Sequence, residues 1–301
     1  MSSNAEVKAP RPSATVMLLR EAAGGVEVLM TRRHENLAHM GGLWVFPGGA
    51  LHSSDSSPGI LARVPAPSQG RCGNFGTLNG QVLRAEECLS LAVAACRETF
   101  EEIGLLLAVD ANGKPCSNDI CERLQAERQR VATQPEHFAT LLEREQLLLD
   151  VDRLVYWAHW ITPSSAPRRF DTRFFAVAAQ AGQTVAADST ETIECRWMTP
   201  AAIVASSDRA EMPMSPPTLC NLIDLRESYS RHGSLQALLG AEIQRKVPPI
   251  LPKMLNEKSQ TTVVMPWDAD YAALAGEGAP AHIEYPTLLR VQLSRLTLPR
   301  R

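Results

Sequence analysis

Residues 97 to 105 read RETFEEIGL and crowd three glutamates, Glu98, Glu101 and Glu102, into a short stretch that stops at a glycine. Leu89, Ala92, Val93, Cys96, Phe100 and Ile103 form the buried stripe of an amphipathic helix over about Ala85 to Ile103. Gly104 suits the left-handed residue that ends such a helix. At ~100° per residue the three acids share one arc, while Ala92, Cys96, Thr99, Phe100 and Ile103 cover the opposite one. Each like-charge pair costs a few tenths of a kcal/mol. The last turn of a helix also disfavours negative charge. A divalent cation, Mg2+ or Mn2+, takes hard carboxylate oxygens and reverses both penalties. A solvated charged face is the other reading, and the helix alone does not decide.

The rest of the chain surrounds this helix with strands. ATVMLL and VEVLMTR read as two strands joined across EAAGG, and LWVFPGG as a third that runs into a proline–glycine break. From Ser53 to about Leu83 the text turns to Ser, Pro, Gly and Asn, a long loop. After the acidic helix, LLLAV reads as a strand and residues 119–131 and 136–148 as helices. RLVYWAHWIT, RRFDTRFFAVAA and ECRWM read as strands. Thr199 and Pro200 open a helix as N-cap and first residue. Further on, SPPTLCNLIDLRESYS and SLQALLGAEIQRK look helical, and TTVVMP and LLRVQLSRL look like strands.

Strands and helices mixed without regular alternation indicate an α+β chain, an α/β/α sandwich over a mixed sheet. Residues 1–13 read as a polar tail, 14–207 as the main domain with a loop at about 56–84, and 208–301 as an extension packed on it. The 30 basic and 33 acidic side chains leave a net charge of -3, which gives no general pull toward nucleic acid or an anionic membrane. Seven cysteines without a CxxC pair argue against a zinc ribbon or dithiol motif. The apolar runs fall short of a membrane span, so a soluble cytoplasmic protein is expected. A homodimer remains open.

A second stretch bears on the acids. FPGGALHSSD, residues 46 to 55, carries Gly49, five intervening residues and then Asp55. Joined to Arg97-Glu98-x-x-Glu101-Glu102-x-Gly104-Leu105, it resembles the box of the Nudix hydrolases, G-x5-E-x7-R-E-U-x-E-E-x-G-U with U apolar. Asp55 stands for the first glutamate and Thr99 for an apolar residue. The spacer from Asp55 to Arg97 is 41 residues instead of seven, an insertion of 34. A Nudix branch that includes the peroxisomal coenzyme A diphosphatases of mammals carries a long insertion there. It is also similar to this chain in WAHWITPSSAPRRFDTRFF and in the Pro216-Pro217 pair.

The resemblance implies a Nudix sandwich and metal-assisted attack of water on a diphosphate. It makes Glu101, Glu102 and the Gly49 carbonyl metal ligands, and Glu98 a further ligand or a general base. Arg97 orients the glutamates, Gly48 and Gly49 let the backbone turn beside the metal, and Asp55 and Gly104 support the box. Glu191 and Glu194 are acids outside the box for which a base and a solvated charge are rival readings.

The branch's upstream signature, L-L-T-x-R-[SA]-x3-R-x3-G-x3-F-P-G-G, is matched through Leu29, Thr31, Arg33, Gly42 and Phe46 to Gly49. His34 replaces the small residue and Ala38 the second arginine. Arg33 is then a substrate contact, and Arg168 and Arg169 either make up for the lost cation or, for Arg169, pair with Asp171. Trp44, Trp157 and Trp160 suit base stacking or core packing. The implied substrate is a small nucleoside diphosphate derivative, coenzyme A or acyl-coenzyme A. ADP-ribose, NADH or a nucleotide sugar is the alternative, and a non-catalytic ligand sensor a third.

Overall fold

Alternation along the first strand sets both layers of the molecule. β1 (Arg11–Ala22) sends Ala14, Val16 and Leu18 into one apolar core and Met17 and Leu19 into another. A strand buried on both faces needs cover on both. The computed structural model describes residues 8–65, 75–256, 260–287, 290 and 296–299. β1 turns through Ala23-Gly24 into β2 (Gly25–Arg33), where Gly25 takes a φ of 105°. β3 (Trp44–Val45) pairs with β2, and β4 (Gly48–Ala50) folds back onto β1.

α1 (Pro58–Leu61) and α2 (Ala85–Ile103) follow, then β5 (Ala108–Val109), α3 (Asn118–Leu124), α4 (Arg128–Thr133), α5 (His137–Arg144) and β6 (Leu148–Leu149). β7 (Val155–Ile161) and β8 (Phe170–Ala178) form an antiparallel pair, and β9 (Thr192–Met198) adds to β2. The chain continues through α6 (Pro200–Asp208), α7 (Pro216–His232), α8 (Leu235–Glu242), β10 (Pro249–Ile250), β11 (Lys253–Asn256), β12 (Gln260–Val264) and β13 (Leu296–Pro299).

Eight strands make one mixed sheet, ordered β10-β7-β8-β1-β2-β3, with β4 also on β1 and β9 also on β2. β1 runs parallel to β8, and β10 parallel to β7. α2 and the helices of residues 118–144 cover one face, while α7, α8 and the β11-β12-β13 sheet cover the other. This is the expected α+β sandwich. Gly104 closes α2 in the left-handed region at φ 74°, and its N–H donates to the Phe100 carbonyl at 2.9 Å.

Several expectations change. The tail ends earlier, because Arg11 to Ser13 already belong to β1 and pair with β8. The long loop holds a 3-10 turn over Ser53–Ser56 and the short α1, fixed by buried Asp55 and Ile60. LLLAV is buried throughout, yet only Ala108 and Val109 find a strand partner, in Leu148 and Leu149. The helix expected to reach residue 148 therefore stops at Arg144. The helix expected over 119–131 breaks at Gln125, whose side-chain amide donates to the Gly104 carbonyl at 2.7 Å. The strand expected over 288–296 falls largely outside the described residues; Leu296–Pro299 is a strand. Among the described residues no helix is long and apolar enough to cross a membrane.

Candidate active site

The site forms where α2 meets β4. Both strand glycines have a steric reason. A Cβ on Gly48 would lie 2.4 Å from the Ala14 carbonyl oxygen, and one on Gly49 would lie 2.4 Å from Glu98 Oε1. The backbone of β4 thus runs directly against β1 and the acids of α2.

Arg97 is buried, and its guanidinium organises the surroundings. Nε and Nη2 donate to the two oxygens of Asp55 at 2.7 and 3.0 Å. Nη1 donates to Glu98 at 3.0 Å and to Glu101 at 2.9 Å, and Nη2 reaches the Ala50 carbonyl at 3.3 Å. Asp55, only 1% exposed, also accepts from the His52 N–H at 2.8 Å. Glu102 turns the other way, accepting from the Gly48 N–H at 3.3 Å and lying 3.8 Å from Arg33. Arg33 in turn lies 3.5 Å from Glu191.

Burial dominates the titration of these acids. It pushes Glu98 up to about 7 against the pull of Arg97. It raises Glu101 as well, again opposed by Arg97. Glu102 is raised well above the carboxylate range by burial and then by the charge of Glu98, with Arg33 opposing. Burial works against the Arg97 charge too, but the hydrogen bonds it donates to Asp55 and the charges of Glu98, Asp55 and Glu101 outweigh it and hold the guanidinium protonated.

Among the described residues no three His, Cys, Asp or Glu side chains are gathered to hold a metal ion as they stand. Arg97 draws Glu98 and Glu101 to itself while Glu102 faces Gly48. The donor set still fits a hard divalent cation. Three carboxylates with little exposure adjoin a backbone cradle that a single Cβ would fill, and two of them, Glu98 and Glu102, are each destabilised as anions by a neighbouring glutamate.

Glu98, Glu101, Glu102, Arg97, Gly48, Gly49 and Arg33 all line one cavity of about 670 Å³. Glu191 lines it as well, whereas Glu194 pairs with Arg196 at 2.5 Å. Arg168 is exposed and outside the lining. Arg169 is buried elsewhere: it donates to the carbonyls of Thr162 and Lys8 at 3.0 Å each and to Glu277 at 2.6 Å. It does not pair with Asp171, which binds His159 and lies 2.6 Å from Arg173. Trp44 and Trp157 are core residues, lying under the guanidinium groups of Arg196 and Arg245. Trp160 reaches the cavity wall.

The sequence did not point to His39. It lines the cavity with its ring 5.1 Å from that of Phe170, and burial followed by the charges of Arg33 and Arg168 lowers its pKa. It sits one position beyond Ala38, so matching the motif position by position passed over it.

Residues 3–225 match the family model of the NUDT19 Nudix domain. The chain is 27% identical over 237 residues to the acyl-coenzyme A diphosphatase NUDT19 of Xenopus laevis, spanning 67% of this chain and 62% of that protein. The human protein of the same name is 27% identical over 223 residues, spanning 65% of this chain and 59% of its own. The match thus spans less than two thirds of either relative. Among solved structures, a Nudix hydrolase of Alicyclobacillus acidocaldarius is similar at 25% identity, covering 77% of this chain and 96% of that one with a TM-score of 0.59.

Proposed function

Because the chain belongs to the Nudix hydrolases, through a domain of the NUDT19 type, we propose that it hydrolyses the diphosphate of coenzyme A or an acyl-coenzyme A. The observation that carries this reading is the Arg97-centred acid cluster opening with Arg33 into a cavity of about 670 Å³. Such a volume suits an organic cofactor-sized ligand.

In the proposed mechanism Glu101, Glu102 and the Gly49 carbonyl would hold a divalent cation, Mg2+ or Mn2+, with Glu98 available as a further ligand. Such an ion would supply charge neutralisation for phosphate oxygens and a lowered pKa for the attacking water. Arg97, anchored by Asp55, keeps Glu98 and Glu101 together at the cavity wall. Arg33 would bind a phosphate oxygen that displaces its long contacts to Glu102 and Glu191. Water attacks one phosphorus, the bridging P–O bond breaks, and adenosine 3′,5′-bisphosphate and (acyl-)phosphopantetheine leave. Glu98 takes the water proton or serves as a ligand. Glu191, at the cavity wall, is the competing base.

Ala38, where the coenzyme A signature has an arginine, favours a second reading in which ADP-ribose, NADH or a nucleotide sugar is cleaved instead. Product analysis by mass spectrometry after incubation with each compound and Mg2+ or Mn2+ separates the two. Release of adenosine 3′,5′-bisphosphate by the parent, lost in Glu101→Gln, supports the first. Turnover of NADH or ADP-ribose alone supports the second.

A further inference from the structure

The family match ends at residue 225, yet the cavity does not. Pro252, Met254 and Val263, all beyond that point, line the same space as Glu98 and Glu102. Met254 on β11 and Val263 on β12 are direct cross-strand partners, so their side chains stand on one face of the small sheet. Val263 is 1% exposed and Met254 is half-buried. Both belong to the core layer that holds Met17 and Phe174, on the opposite side of the main sheet from the apolar stripe of α2. The cavity therefore joins a wall from each layer.

Charge is divided the same way. The charged lining residues all come from positions up to Glu191, and beyond it the wall is Ser215, Pro216, Pro217, Thr218 and the three extension residues. A ligand filling this space turns its polar, charged end toward α2 and its apolar end toward the extension. Adjacent apolar wall strengthens binding only for a substituent that removes it from water.

We propose that the C-terminal extension builds an apolar subsite for an alkyl or acyl substituent of the substrate, with Met254 and Val263 fixing the chain length accepted. The inference rests on the diphosphatase reading and deepens it, assigning the substrate to long-chain thioesters of coenzyme A over free coenzyme A. Methionine suits the task because its unbranched thioether adapts to chains of different length. Each methylene buried there strengthens binding about fourfold until the wall is met.

The test compares kcat/KM of the full chain for free coenzyme A and for straight-chain acyl-coenzyme A thioesters of increasing length. Preference should climb with length and then level off. Met254→Trp, which fills the subsite, should cut the ratio of long-chain to free coenzyme A at least tenfold; Val263→Ala should move the plateau to longer chains. Met254→Ala covers the case in which the tryptophan variant fails to fold, and it should also shift the plateau upward. A ratio that ignores chain length, or that none of the variants moves, overturns the subsite. A binding measurement separates this failure from failure of the proposed reaction. Decanoyl-pantetheine lacks the diphosphate, so calorimetric titration of Glu101→Gln with it should show binding that Met254→Trp in the same background weakens about tenfold. Binding that is absent or unaffected by Met254→Trp counts against the subsite, whatever the fate of coenzyme A hydrolysis.

Discussion

Arg97 holds Asp55 through two parallel hydrogen bonds, 2.7 and 3.0 Å long, between residues 42 positions apart. The pair closes the long insertion so that the glycines of β4 and the acids of α2 meet as if no residues intervened. Removing Asp55 leaves a buried guanidinium without its main partner. Asp55→Ala should therefore cost about 3–5 kcal/mol of stability, the usual range for breaking a buried ion pair. Chemical denaturation of parent and variant measures it, and a loss below about 1 kcal/mol would show that the pair does not brace the site.

Glu101 and Glu102 should be dispensable for folding and needed for turnover. Both are raised in pKa because burial disfavours their charge, so a neutral isostere relieves a cost in the metal-free protein. Glu101→Gln and Glu102→Gln should melt no lower than the parent in EDTA. Even residues that merely support metal ligands cost roughly 10–100-fold when removed, so these two should cost at least that in kcat/KM.

Acidity and metal should oppose each other. The Glu98 carboxyl titrates near 7 in the fold against 4.5 as its ordinary value, so between those limits the native state binds more protons than the unfolded chain. Stability in EDTA should then be greatest below about 4.5, as far as this group contributes, and fall as the pH rises through about 7. Divalent-cation affinity should run the other way, rising as the proton leaves. Melting curves at pH 5 and 7.5, with EDTA and with Mn2+, check both signs.

Gly49→Ala should damage activity more than stability. The new Cβ lies 2.4 Å from Glu98 Oε1, a side-chain end that swings away at little cost but cannot stay where it is. Gly48→Ala meets the backbone of Ala14 and Thr15 at 2.4 and 2.6 Å, which has no such freedom. The first variant should fold with at least a tenfold loss of kcat/KM; the second should lose stability by about 2 kcal/mol or more. Circular dichroism melts and initial rates distinguish them.

The readable part of this protein was local. Period and cap revealed α2 and Gly104, because a single helix carries its own pattern. Motif position put Arg97 and Asp55 in one box despite the insertion, but their pairing emerged only from the fold. Arg169 was misread because its partners Lys8 and Glu277 are 161 and 108 positions away, and no strand alternation predicts them. LLLAV suggested a full strand because a buried apolar run looks the same whether it pairs or only packs. TTVVMP pointed to β12 but nothing in the sequence singled out β11, so the meeting of Met254 and Val263 at the cavity emerged only from the fold.

The most direct test of the account is chromatography with mass detection on this 301-residue chain incubated with Mg2+ or Mn2+ and coenzyme A or an acyl-coenzyme A, beside Glu101→Gln. The account predicts adenosine 3′,5′-bisphosphate and (acyl-)phosphopantetheine from the parent and neither from the variant. Equal product from both proteins, or none from the parent with either metal, would contradict it.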